Sequence, residues 1–149
     1  MTTPVAADRL RGAGLRATRP RVAVLVTLDR LGGHRSADEL VAVLGSVEAG
    51  GGVPRSTVFA VLDDLVRAGL VTRVEVEAGP VRHEVASGRH HHLVCVACGD
   101  IVDVPCAAVA PGPCLEASVP GAELDAADVV LRGRCAACVA AGRRRAGSA

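Results

Sequence analysis

PRSTVFAVLDDLVRAGLVTRVEV, residues 54 to 76, changes periodicity partway along. Pro54 suits the start of a helix, where its missing amide hydrogen is no loss, and Val58, Val61, Leu62 and Leu65 then recur at helical spacing. Gly69 is placed to end that helix, since glycine accepts the left-handed conformation that helix ends favour. Two β-rich runs follow, Leu70 to Val76 and Val81 to Val85, joined by Glu77, Ala78, Gly79 and Pro80, and these predict a hairpin.

Upstream of the helix, Pro4 to Ala13 reads as a short helix ended by Gly12 and Gly14. Thr18 is the expected cap of a second, with Pro20 in its first turn and Val22, Leu25, Leu28 and Leu31 as its buried stripe before Gly32 and Gly33. Ser36 and Glu39 form a capping box for a third, whose apolar face is Leu40, Val41 and Leu44. The run from Gly45 to Val53 is a turn. Helices in this order, followed by a hairpin, predict a winged helix-turn-helix whose Pro54 to Ala68 helix enters a major groove of double-stranded DNA.

The expected groove-facing set is Arg55, Ser56, Phe59 and Ala60, with Thr57 beside them. Arg55 can bond a guanine edge or a phosphate, Ser56 can bond either strand, and Phe59 can touch a thymine methyl. The alternative for Phe59 is a core position. Asp63 and Asp64 repel phosphate and belong toward the outer end of the helix. Residues 1 to 35 carry seven arginines against Asp8 and Asp29, a local basic surface in a chain of net charge +1; Arg16 and Arg19 are its expected DNA contacts.

Downstream, the composition changes at residues 86 to 89. HHHLVCV from His90, then Asp100 to Val104 and Asp128 to Arg132, read as strands of a small sheet, with at most a short helix near Cys114 to Ser118 among three prolines. Cys95-x-x-Cys98 and Cys135-x-x-Cys138 supply four thiolates, enough to close a tetrahedral structural zinc site; the alternative is a redox pair. Side chains alternate along a strand, so His90 and His92 face one way while His91 and Cys95 face the other. The first face can recruit His34, Glu84 or His83, and Asp103 into a mixed nitrogen and oxygen site suited to Fe(II), Mn(II) or Zn(II), whose occupancy would select a geometry of the DNA-binding half.

Composition bounds these readings. The chain has 149 residues, half of them apolar, which suffices for one domain or two small ones. It contains no long uncharged apolar run and no signal-like N-terminus, so a cytoplasmic protein without a membrane partner is expected. Six cysteines in that compartment favour metal or redox chemistry over structural disulfides.

Several pieces together resemble the ferric uptake regulator (Fur) family: GLRATRPR from Gly14, HRSADEL from His34, STVFAVLDDLVRAGLV from Ser56, HHHLVCVACG from His90, and the final CAAC. The resemblance implies an α+β chain with a winged-helix DNA-binding domain, here residues 1–85, and an α/β dimerisation and metal-binding domain, here 90–142; the composition change at 86–89 reads as the hinge between them, and RRRAGSA, residues 143–149, as a disordered tail. It implies a homodimeric repressor that is not an enzyme. Structural zinc is expected on Cys95, Cys98, Cys135 and Cys138, and a regulatory metal on His34, Glu84, His90 and His92. Asp103 stands where peroxide-sensing members carry a further aspartate ligand, and VDVPCAAVAPGPCLEAS resembles the actinobacterial FurA/CatR branch associated with catalase-peroxidase genes. A response to iron and peroxide is therefore expected, with uptake regulation of iron, zinc or nickel as the alternative.

The chain departs from its relatives at four points. Glu84 replaces the aspartate of the best-known peroxide sensors. No histidine follows His92, and Arg89 stands in place of a frequent histidine ligand, so a second non-structural site is not expected. Phe59-Ala60 replaces a usual Tyr-Arg. Cys106 and Cys114 are spare thiols, either a reversible redox pair or small buried residues. A zinc enzyme is the competing class, but the chain lacks HExxH, and Pro105-Cys106 lacks the second thiol of a deaminase motif.

Overall fold

The computed structural model describes residues 1–45, 52–76, 79–88, 90–105 and 129–144. They form two compact units, Met1–Ser87 and Gly88–Ala149.

In the first unit, helices α1 (Thr3–Gly12), α2 (Arg19–Leu31), α3 (Ala37–Gly45) and α4 (Arg55–Arg67) enclose one apolar core. Leu10, Leu25, Leu28, Leu40, Leu62 and Leu65 are its largest fully buried aliphatic side chains. With Phe59 the only aromatic residue in the chain, leucine and valine supply nearly all the packing volume. Each such side chain contributes about 1.5 to 3 kcal/mol on burial. Leu25 and Leu28 of the expected α2 stripe are fully buried, Val22 and Leu31 at its ends are partly buried against the same core, and Val24 joins the stripe as a buried residue the spacing did not mark.

The ends of these helices follow local chemistry. Ser36 and Glu39 make the reciprocal capping box: the Ser36 amide donates to Glu39 Oε2 at 2.7 Å and the Glu39 amide to Ser36 Oγ at 3.2 Å. Thr18 occupies the N-cap position of α2 in extended conformation, but its side chain makes no capping hydrogen bond. Past α4, the Gly69 amide donates to the Val66 carbonyl at 3.0 Å and the Leu70 amide to that of Leu65 at 2.9 Å. This is the paired bonding of a Schellman end, and it needs the positive φ of +67° that Gly69 adopts.

The hairpin strands are β2 (Val71–Val74) and β3 (Arg82–Val85), with Val71 opposite Val85 and Val74 opposite Arg82. A third strand, β1 (Arg35–Ser36), pairs antiparallel with β3, giving the order β1-β3-β2. The sequence does not announce this strand. Two residues are too few to show alternation, and Ser36 already has a role as a cap.

The second unit carries a three-stranded sheet in the order β5-β4-β6: β4 (His90–Cys95), β5 (Ile101–Pro105) antiparallel to it, and β6 (Val130–Gly133) parallel to it. A short helix, α5 (Ala136–Ala140), follows, and was not predicted. The joining turn of the hairpin at Glu77 and Ala78, the expected helix near Cys114, the thiols Cys106 and Cys114, Arg89 and the last five residues lie outside the described residues. Among the described residues, no helix is long and apolar enough to cross a membrane.

Candidate functional site

The second unit brings four cysteines together. Cys95 ends β4, Cys98 lies in the turn after it, Cys135 immediately precedes α5, and Cys138 lies inside that helix. Parallel pairing of β6 with β4 sets Gly133 beside Cys95, which delivers the second knuckle to the first. Gly99, at φ +75°, turns the chain back so that its amide donates to the Cys95 carbonyl at 2.8 Å. The four sulfurs lie within 4.8 Å of one another, and the Sγ atoms of Cys98 and Cys135 are 3.9 Å apart. A tetrahedron with Zn–S bonds of about 2.3 Å has edges of about 3.8 Å, so these residues fit that ion.

Electrostatics favour the same conclusion. The Cys135 amide donates to Cys95 Sγ at 3.3 Å, and this bond brings the Cys95 thiol down to about 6 despite burial. Burial pushes the Cys138 thiol up to about 12. The Cys95 thiolate forms readily, while the Cys138 thiol needs a cation beside it before it ionises, which is the behaviour of a metal site. All four cysteines are free thiols, and Cys95, Cys135 and Cys138 are buried.

Each unit also carries side chains of metal-ligating type that lie close together within it. In the first, His34 directly precedes β1 and Glu84 lies on β3. Antiparallel pairing of Arg35 with His83 and Ser36 with Arg82 leads, one step back along β1, to His34 facing Glu84, and their Nε2 and Oε2 atoms are 3.4 Å apart. His83, the alternative ligand, is buried on the same sheet, and its burial lowers its pKa from the usual histidine value. In the second unit, the rings of His90 and His92 meet edge to face at 4.8 Å, as side chains on one face of a strand should. Asp103 is the register partner of His92 on β5, and its Oδ1 lies 3.8 Å from His90 Nε2. His91 points the other way and is 2 % exposed.

On α4, Arg55, Ser56, Phe59 and Ala60 are exposed and Thr57 is half-buried. Phe59 is 41 % exposed, which removes the core alternative for the only aromatic side chain. Arg16, which precedes α2, and Arg19, which opens it, are both exposed. Asp64 is held by Arg21 of α2 at 2.7 Å and by Arg67 at 2.6 Å. The Arg21 bond, with the charge of both guanidiniums, keeps its carboxyl below the usual range. Its repulsion of phosphate is thereby largely neutralised. Asp38 of α3 forms an ion pair with Arg55. The sequence concealed that contact, because an acidic residue in a first helical turn is already accounted for by the helix dipole.

Helices leading to a hairpin, with clustered side chains of metal-ligating type in the same chain, are an arrangement suited to a metalloregulatory protein. Comparison with known proteins agrees: the ferric uptake regulator family matches residues 12–112. The chain is 44 % identical over 138 residues to the transcriptional regulator FurA of Mycobacterium tuberculosis, covering 91 % of this chain and 90 % of that protein. It is 39 % identical over 146 residues to ferric uptake regulation protein 2 of Mycolicibacterium fortuitum, covering 96 % and 99 %. The structure of the ferric uptake regulator from Pseudomonas aeruginosa with manganese superposes with a TM-score of 0.68 at 33 % identity, covering 89 % of this chain and 98 % of that one. The protein belongs to the ferric uptake regulator family of metal-responsive transcriptional regulators.

Proposed function

We propose that the protein is a metal-dependent repressor that binds operator DNA as a homodimer and responds to iron and peroxide, controlling a catalase-peroxidase gene and its own. The observation that carries this reading is the division of the mixed ligand set. His34 and Glu84 belong to the helical unit, and His90, His92 and Asp103 to the sheet unit. An ion that recruits both halves favours one arrangement of the units over others by the difference in its affinity for them, and that difference is the switch. Fe(II) or Mn(II) is the proposed regulatory ion, with Zn(II) as a further candidate for the same ligands. Zinc on Cys95, Cys98, Cys135 and Cys138 is structural, because four thiolates leave no open position.

DNA contact is assigned to Arg55, Ser56, Thr57 and Phe59 on α4 and to Arg16 and Arg19 before and at the start of α2. Residues 1–85 are proposed as the DNA-binding domain, 86–89 as the hinge, 90–142 as the dimerisation and metal-binding domain, and 143–149 as the tail. Likeness to a mycobacterial FurA supports the proposed branch. Fe(II) held by these residues would supply the redox chemistry that cleaves peroxide, with peroxide as the net oxidant: the imidazole of His90 or His92 would gain one peroxide oxygen atom, the other leaving as water, and the altered ring would no longer serve as a ligand. Glu84 in place of aspartate favours a second reading, an iron-uptake regulator with the same ligand set.

Retardation of the protein's own upstream DNA by apo, Fe(II)-, Mn(II)- and Zn(II)-loaded protein tests the switch. Binding should require the regulatory ion, and equal binding by the apo protein refutes the reading. Aerobic iron loading with peroxide, followed by peptide mass spectrometry, separates the two branches: oxygen gained at His90 or His92 supports the peroxide sensor, and unmodified histidines support the uptake regulator.

A further inference from the structure

Arg55 is the first residue of α4, where a recognition helix meets base edges. Its guanidinium carbon lies 4.9 Å from the centroid of the Phe59 ring, one turn further along the same helix. Its Nη1 is ion-paired with a carboxylate oxygen of Asp38, from the first turn of α3. Both members of that ion pair are exposed, with side chains 62 % and 61 % accessible. Such pairs add little to folding. Stability therefore gives no account of this contact.

We infer that Asp38 is a positioning residue for DNA recognition: together with Phe59 it holds Arg55 as a reader of base edges and keeps it off the phosphate backbone. This rests on the assignment of α4 to DNA made above. An exposed arginine otherwise samples many rotamers. Here the guanidinium carbon lies over the ring of Phe59 and a carboxylate takes one of its nitrogens, so two fixed neighbours restrict it while its other nitrogen atoms stand outside that ion pair. Any phosphate brought to that guanidinium meets the Asp38 charge as well, and like charges at contact distance repel. The O6 and N7 atoms of guanine are neutral acceptors and escape that penalty, while a paired arginine fork matches them. Phe59 adds an apolar surface beside the fork, suited to a thymine methyl. The step read by this trio is a guanine with a neighbouring thymine.

The test uses full-length, metal-loaded protein, as wild type, Asp38→Asn and Asp38→Glu, on its own upstream DNA and on a shuffled duplex of equal length, over a range of salt. A positioning role predicts that Asp38→Asn lowers the ratio of specific to shuffled affinity by about fivefold or more, the scale of one lost base contact. The freed Arg55 then takes a phosphate, so the slope of log affinity against log salt steepens by about 0.9 for each copy bound. Asp38→Glu restores both quantities. Thermal melting of each variant shows that the helical unit is intact. An equal change on both duplexes, an unchanged ratio and slope, or an Asp38→Glu protein that behaves like Asp38→Asn overturns the inference while leaving the repressor reading in place. Wild-type protein that fails to distinguish the duplexes in every metal state overturns both.

Discussion

Replacing Glu39 by Gln removes one charge from the point where α3 meets the sheet. Glu39 Oε2 accepts from the Ser36 amide at 2.7 Å and from Arg82 of β3 at 2.7 Å, while Oε1 lies 3.5 Å from Arg35 of β1. The backbone bond from Ser36, reinforced by the Ser36 hydroxyl and the charges of Arg82 and Arg35, holds its carboxyl below the usual value of 4.5. A capping interaction is worth about 0.5 to 2 kcal/mol, and an exposed ion pair typically adds less than about 1 kcal/mol. The Glu39 side chain is 41 % accessible, so the ion-pair part takes the low end. Gln can still accept from the Ser36 amide, which leaves an expected loss of about 1 kcal/mol at pH 7. The sign with pH follows from the direction of the shift. A carboxyl with a depressed pKa in the folded protein contributes fully above its unfolded pKa, and its contribution fades as pH falls through the folded value. Denaturant unfolding followed by far-ultraviolet circular dichroism, on wild type and Glu39→Gln side by side, measures the difference at each pH. Both proteins share every other titration, including that of the zinc thiolates, so the difference isolates Glu39. A gap that stays constant from pH 7 to below the usual carboxylate range, or that widens in acid, refutes the assignment.

Two further perturbations bear on the fold and the thiolate cluster. Gly69→Ala places a Cβ at φ +67° where nothing lies within 4 Å, so the cost is conformational alone, about 1 to 2 kcal/mol; Gly69→Asn should cost less, and equal melting of all three proteins argues against the Schellman end. Cys138→Ser removes a buried thiol from the cluster and should lower zinc retained after gel filtration from one equivalent per chain to well below it, with faster proteolysis of the second unit; zinc retained at the wild-type level would show that the four sulfurs do not share an ion.

Much of the helical unit is legible in the sequence because its information is local. Val58, Val61, Leu62 and Leu65 announce a buried face by spacing, and all four are buried. The capping box at Ser36 and Glu39 depends on residues three apart, and so does the end of α4 at Gly69. Thr18 shows the limit of such rules, because a residue of the right type in the right place still leaves its hydroxyl unused when Pro20 follows two positions on and one amide donor is already absent. Helix α5 was missed because CAACVAAG offers only small residues with no apolar stripe. Its helical form places Cys138 where it faces Cys95.

The clusters of ligating residues show a different limit, since their residue types were legible while the means of bringing them together was not. His34 and Glu84 are separated by two helices and a hairpin strand, and nothing in their spacing says that they meet. The element that joins them is β1, two residues long, whose pairing with β3 sets His34 opposite Glu84. Likewise, Asp103 reaches the histidine face because β5 pairs with β4 in the register that sets His92 against it. A slip of one residue in either pairing would turn the carboxylate to the opposite face of its sheet. Register is thus the variable on which both pairings depend, and it is held by side chains outside them. Glu39 bonds Arg82, the register partner of Ser36, and it also caps the helix that Ser36 begins. The capping box therefore fastens β1 to β3 as well as starting α3, so the same carboxylate that stabilises the helical unit also helps keep His34 facing Glu84.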